Sequence, residues 1–335
     1  MARAPKASAA WTQRHLLGIR ELSRGELETV LALASEYKKS PPAKPPLQGK
    51  RLLTFFVESS TRTRTSFGIA ARRLGAEVID LSPAGSSLSK GESLRDTART
   101  IDALGVDFAA VRHPASGAPH LVAGAIRGSV VNAGDGANEH PTQALLDLFT
   151  IRERVGRLDG LKVALVGDIL HSRVARSNLW AHRLLGNAVT VVGPATLIPR
   201  GVEAMGASIS HDFDAALATH DVIVMLRLQL ERQQAGLFPS TAEYTRLFGL
   251  TRERQARLRK GTIVMHPGPM NRGWEISSEA ADGAASAILD QVHNGVFVRM
   301  AVLSLLNEAR SESRIRNQGS RIKNPESLVR EAGRS

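Results

Sequence analysis

The stretch Phe55-Phe56-Val57-Glu58-Ser59-Ser60-Thr61-Arg62-Thr63-Arg64-Thr65-Ser66-Phe67 joins two kinds of periodicity. The apolar run from Leu52 to Val57 reads as a strand, and it stops at two serines. Beyond them Phe67, Ala70, Ala71 and Leu74 recur at helical spacing. Hydroxyls and an arginine therefore stand where a strand hands over to a helix N-terminus. Such a terminus offers unpaired N–H groups and a partial positive charge, which suit phosphate. Ser and Thr add hydroxyl donors, and Arg adds a planar fork that matches phosphate oxygens. Ser60 alone would read as a helix cap; the whole Ser-Thr-Arg-Thr-Arg run reads as a phosphate site.

The same strand-to-helix alternation extends in both directions. Strand-like runs at Leu52–Val57, Glu77–Leu81, Asp107–Val111 and Ser129–Asn132 are separated by helical patterns near Thr65–Leu74, Ser93–Leu104 and Ala118–Ile126. Before them Ser23-Arg24-Gly25-Glu26 has capping-box spacing ahead of a helix. A long helical pattern starts after His140-Pro141 and ends near Val155. A second series follows at Lys162–Val166, Ala188–Val192, Asp221–Met225 and Thr262–Met265. The expected fold is α/β, with two domains, each a parallel sheet flanked by helices. The expected limits are residues 1–150 and 151–283, with a helix over 284–306 packing back on the first domain. Residues 307–335 read as a basic, mobile tail.

Composition narrows the function. The chain has 335 residues, enough for two cores, and 42% hydrophobic residues but only 4% aromatic ones. Cys is absent, which excludes disulfides, thiolate metal sites and cysteine nucleophiles. The N-terminal residues lack the apolar core of a secretory signal, and no apolar run spans a bilayer, so a cytoplasmic protein is expected. The net charge is +12; many arginines fall in motifs at strand ends, which favours small anions over nucleic acid, and part of the remaining excess lies beyond Leu306, at Arg310, Arg314, Arg316, Arg321 and Lys323. Gly167-Asp168 follows a strand but lacks the later glycines of a dinucleotide loop, which argues against a nicotinamide enzyme.

Ligands in open α/β sheets bind beyond the carboxyl ends of the strands. Arg112 closes one strand, and Gly134-Asp135-Gly136 delivers His140 to a helix start with Gln143 in its first turn. A neutral imidazole there can donate one hydrogen bond to a developing oxyanion. Arg173, Arg227 and Gln229 follow strands of the second series, a set that suits a dicarboxylate. Gly268-Pro269 forms a tight turn whose carbonyls can meet an amine. Taken by itself, the small-residue loop Ser82–Gly91 reads as a solvated linker.

Together, Ser60-Thr-Arg-Thr-Arg64, His140-Pro-Thr-Gln143 and His266-Pro-Gly-Pro269 resemble the aspartate/ornithine carbamoyltransferase family over roughly Leu16 to Leu306. The likeness is to the catalytic chain of the aspartate branch. It implies that Ser60, Thr61, Arg62, Thr63, Ser87, Arg112, His140, Gln143, Gly268 and Pro269 bind carbamoyl phosphate. Lys90, Arg173, Arg227 and Gln229 would bind aspartate, with Arg62, Thr63, Lys90, Arg112 and His140 carrying the catalysis. Ser87 and Lys90 would enter the site from a neighbouring subunit of a homotrimer with shared active sites. The implied reaction carbamoylates L-aspartate from carbamoyl phosphate, an early step of pyrimidine (UMP) biosynthesis, with no cofactor and no metal. Regulatory or dihydroorotase-like subunits are left open as partners.

Two alternatives differ in the residues they require. Ornithine enzymes place Cys in a His-Cys-Leu-Pro segment, whereas this chain has His266-Pro-Gly-Pro269 and two groups, Arg227 and Gln229, suited to a second carboxylate. A non-catalytic partner with the same fold would be expected to lose motif residues, and none is missing. Gly268 departs from members with Leu at that place.

Overall fold

A computed structural model describes residues 11–81, 91–229 and 240–323. The expected site residues Ser87 and Lys90 and the tail end, 324–335, lie outside the described residues. In the first half, β1 (Arg51–Phe56), β2 (Glu77–Leu81), β3 (Phe108–His113) and β4 (Ser129–Asp135) pair as a parallel sheet in the order β2-β1-β3-β4. In the second, β5 (Lys162–Val166), β6 (Ala188–Val192), β7 (Ala207–Ser210), β8 (Val222–Met225) and β9 (Ile263–Met265) form a parallel sheet ordered β7-β6-β5-β8-β9. Strand β7 escapes the sequence pattern because Ala-Ser-Ile-Ser is short and polar, as an edge strand can be.

Helices α1 (Arg24–Lys39), α2 (Thr61–Arg73), α3 (Leu94–Ala103) and α4 (Ala118–Ala123) flank the first sheet. The Ser23–Glu26 capping box forms as its spacing predicts. Helix α5 (Pro141–Val155) follows β4 and is buried on every side from Pro141 through Ile151. It packs against α1, against α6 (Arg173–Leu184), and against the last helix, α11 (Ile288–Lys323). Between α6 and α11 come α7 (Phe213–Thr219), α8 (Thr241–Phe248), α9 (Arg252–Ala256) and α10 (Ser278–Asp282). One apolar cluster joins α5, α6 and α11 to faces of both sheets, including Val131, Leu148, Val163, Leu165 and Leu303. Among the described residues no helix is long and apolar enough to cross a membrane.

The last helix differs from its expected span of 284–306. At its start, Val264 N–H donates to Ala285 O, and Ala287 N–H donates to Val264 O. These residues prolong the pairing of β9 instead of entering a helix. At its end the helix runs past Leu306 to Lys323. Residues 307–312, Asn-Glu-Ala-Arg-Ser-Glu, carry no strong breaker, and the first proline is Pro325. Polarity was the only stop signal at Leu306, and a helix that has left the core is polar all round.

Because α5 is the shared layer, truncation within it should be costly. Leu148→Ala, at a fully buried position, is expected to lower unfolding free energy by about 2–5 kcal/mol. Urea denaturation measures this as a lower midpoint at unchanged slope.

Candidate active site

Parallel pairing sends the carboxyl ends of β1, β3 and β4 to one edge, and those of β5, β8 and β9 to one edge of the second sheet. The segments after these strands enclose a cavity of about 940 Å³. Ser60 caps α2 and accepts from Thr63 N–H at 3.3 Å. Ser60, Thr61, Arg62 and Thr63 all line the cavity. Arg64 does not: it donates to Asp80 of β2 at 3.2 Å and lies over the Phe56 ring. Two helical residues are about 200° apart around the axis, so alternate arginines on α2 cannot share a target.

Arg112 leaves β3 and donates to Glu58 at 2.6 Å. From the other sheet, Arg173 opens α6 and donates to both oxygens of the same carboxylate. Glu58 thus clamps one arginine from each half. Gly134 sits behind, at φ +117°, where a Cβ would lie 3.0 Å from the Arg173 guanidinium. Arg227 and Gln229 follow β8 and line the same cavity, as do Gly268 and Pro269 after β9. At Gly268, with φ +65°, a Cβ would lie 2.7 Å from the Arg62 guanidinium carbon. A larger residue here would require the Arg62 side chain to shift.

His140 opens α5, 3% exposed, and its backbone N–H donates to Ser177 Oγ at 2.8 Å. Its Nδ1 is buried and has no hydrogen-bond partner. Burial, followed by the charges of Arg112, Arg299 and Arg173, holds its pKa well below the ordinary histidine value. The ring is neutral at physiological pH and can serve as a hydrogen-bond donor to a developing oxyanion. Gln143 donates through Nε2 to Asp147 at 2.9 Å. The His266 ring accepts from Gly268 N–H at 2.8 Å through Nδ1 and meets Glu275 at 3.2 Å through Nε2. That tethers the turn carrying Gly268 and Pro269.

The structure therefore brings together every expected site residue that it describes. It also adds Glu58, Ser172, Gln291 and Arg299 to the lining. Arg299 is buried, stacks on Phe67 and donates to Ser66 Oγ at 2.9 Å. Burial lowers its pKa to about 10, which leaves it charged at neutral pH. Glu58 lay within the decisive run, two residues before Ser60, but a lone acid there carries no spacing signal. Arg299 lay in a helix read for its apolar face.

These features define an anion site between two α/β units. The family model for the carbamoyl-phosphate-binding domain of aspartate/ornithine carbamoyltransferases matches residues 14–153, and the model for the aspartate/ornithine-binding domain matches residues 159–306. The chain belongs to the aspartate/ornithine carbamoyltransferase family. It is 54% identical over 297 residues to the aspartate carbamoyltransferase catalytic subunit of Pelotomaculum thermopropionicum, covering 88% of this chain and 96% of that one. The corresponding subunit of Myxococcus xanthus is 54% identical over 293 residues, covering 87% and 99%. Among solved structures, aspartate transcarbamoylase from Trypanosoma cruzi with carbamoyl phosphate and aspartate aligns with TM-score 0.80 at 30% identity, covering 88% of this chain and 96% of that one. Ornithine carbamoyltransferase from Thermus thermophilus aligns with TM-score 0.79 at 29% identity, covering 88% and 99%.

The buried histidines set an acid limit on stability. Burial lowers His140 and His266, and takes His15 and His182 down to about 4. A group with a depressed folded pKa contributes stability above its unfolded pKa and loses it as pH falls through the folded one. Asp147, raised to about 6, and Glu139 and Glu308, also raised by burial, run the opposite way but are fewer than the lowered histidines, which include His113 and His220. The melting temperature is expected to fall between pH 6.5 and 4. Carbon-13 NMR of labelled histidine should show His140 without a titration midpoint near 6.5.

Proposed function

We propose that the chain catalyses carbamoyl transfer from carbamoyl phosphate to the amine of L-aspartate, giving N-carbamoyl-L-aspartate and phosphate. One observation carries this reading: the α2 N-terminus, Arg112 and His140 share a single cavity with Arg173, Arg227 and Gln229 from the second sheet. We assign residues 1–150, with the last helix, to carbamoyl phosphate and residues 151–283 to aspartate. The relatives named above as aspartate carbamoyltransferases support the proposed reaction.

The reaction follows from charge placement. The deprotonated amine of aspartate attacks the carbonyl carbon, and the C=O electron pair moves onto oxygen. Thr63, Arg112 and neutral His140 stabilise that developing charge. The C–O bond to phosphate then breaks, and Ser60, Thr61 and Arg62 offset the charge of the departing dianion. In this reading Arg173 and Arg227 each face one carboxylate of aspartate, with Gln229 beside them. Gly268 and Pro269 offer backbone carbonyls to the carbamoyl amine. The departing phosphate takes the amine proton, which leaves no side chain to act as general base. Holding both substrates in one cavity supplies effective molarity, which can account for several kcal/mol of barrier.

Glu58 pairs with both Arg112 and Arg173, so an anion at either arginine competes with that carboxylate. The family supplies the rest of the reading: a cytoplasmic homotrimer in which Ser87 and Lys90 serve the neighbouring subunit's site, in an early step of pyrimidine synthesis.

Three measurements test these assignments. Phosphate release from carbamoyl phosphate is expected with L-aspartate and not with L-ornithine; release with ornithine alone overturns the substrate assignment. Arg227→Ala should raise the KM for aspartate by about 10²-fold, a loss of about 2.7 kcal/mol in a charge-assisted pair, while carbamoyl-phosphate affinity stays within about twofold. Equal losses for both substrates would count against the division of the site. Mixing inactive Arg62→Ala with inactive Lys90→Ala should restore part of the activity after subunit exchange, and silence would remove Lys90 from the neighbouring site.

A further inference from the structure

Asp147, fully buried on α5 and outside the cavity lining, is a meeting point of three side-chain amides. Gln143 Nε2 and Gln291 Nε2 both donate to Oδ1, at 2.9 and 2.7 Å, and Asn178 Nδ2 donates to Oδ2 at 2.8 Å. The donors come from α5, α11 and α6. Two of the three amides have their orientation fixed elsewhere. Gln291 Oε1 accepts from the backbone N–H of His266 at 2.9 Å, so its NH2 must face Asp147. Asn178 Nδ2 also donates to Val174 O at 3.0 Å. Gln143 and Gln291 both border the cavity, and of the two only Gln143 has no second side-chain bond to hold it.

We propose that Asp147 is a positioning residue that fixes the Gln143 amide with its NH2 inward, leaving Oε1 to accept a hydrogen bond from the carbamoyl NH2. This rests on the carbamoyl-transfer reading and deepens it. The carboxylate thereby selects the NH2 end of the substrate. An amide rotated by 180° would present NH2 against NH2, and a donor facing a donor is repulsive.

A carboxylate has acceptor sites for three donors, with both oxygens available. An amide has one acceptor oxygen and one donor group. Because Gln143 and Gln291 share Oδ1, an asparagine here would keep both by placing its oxygen there and turning its NH2 to Asn178. Asp147→Leu, of similar size and without an acceptor, instead releases Gln143, while Gln291 and Asn178 stay held by His266 N–H and Val174 O.

Acetyl phosphate reads this out, since a methyl group replaces the amine and cannot donate. Wild type and Asp147→Leu are compared by kcat/KM for carbamoyl phosphate relative to acetyl phosphate, with aspartate saturating. The expected result is a preference for carbamoyl phosphate that falls about tenfold or more, the value of one buried hydrogen bond left unmade. In a Gln143→Ala background, Asp147→Leu should produce no further fall, because the effect runs through Gln143. A merely structural role would lower both substrates together. An unchanged preference, or an equal fall in the Gln143→Ala background, overturns the proposal. If Asp147→Leu does not fold, Asp147→Val, which likewise has no acceptor, is measured in its place with the same two outcomes. A wild-type chain that makes no carbamoyl-aspartate overturns the functional reading and this proposal with it; an active wild type whose variants keep the preference overturns the proposal alone.

Discussion

The carboxylate of Glu58, held between Arg112 of one sheet and Arg173 of the other, is the interaction on which the rest of the site depends. Five arginines, Arg62, Arg112, Arg173, Arg227 and Arg299, border one cavity. Like charges at such spacing repel, and burial removes water that would screen them. Arg62 shows the effect: burial, and then the charge of Arg227, lower its pKa. Without an internal acid the two halves of the cavity would tend to separate. Glu58 offsets part of that repulsion and spans the two sheets. A bound dianion and dicarboxylate complete the neutralisation, so a filled site needs less of Glu58.

That charge balance also bears on the two histidines of the cavity. A protonated His140 would add a further positive charge among Arg112, Arg173 and Arg299, and burial already disfavours it. His266 is lowered by burial in the same way, with Arg62 and Arg227 as its cationic neighbours. In the proposed reaction the permanent arginine charges hold the anions, and the uncharged His140 ring meets the oxygen where charge develops without taking a proton from the attacking amine.

Much of this was legible in sequence because strand ends punctuate it. Arg112, His140, Arg173 and Gln229 each follow an apolar run, and parallel pairing takes them to common edges. The limit appears where the signal is not at a strand end. Arg299 and Asp147 lie inside helices whose apolar residues dominate the pattern, and a buried polar side chain among them looks like one more polar face. Gln143 and Asp147 are four apart, the spacing of neighbours on a helix, but only the structure adds Gln291 and Asn178 as further donors. Arg64, two residues from Arg62 in the same run, is turned away from the cavity by helical geometry and meets Asp80 instead. Likewise, the end of the last helix could not be placed at Leu306, because loss of apolar residues marks the end of the core and not of the helix.

Asp147 then gives the anion site a second, quieter tie between its halves. Glu58 joins the sheets through charge at the cavity surface. Asp147 joins α5, α6 and α11 beneath the cavity, where no ligand reaches, and through Gln291 it extends to the backbone of His266 at the end of β9. Buried polar groups are costly unless every donor finds an acceptor, and here a single carboxylate supplies three. Because Asp147 is not exchanged with ligand, the network beneath can hold its geometry while the charges above are rearranged. The division between a replaceable ion pair and a fixed amide cluster follows from the depth at which each lies.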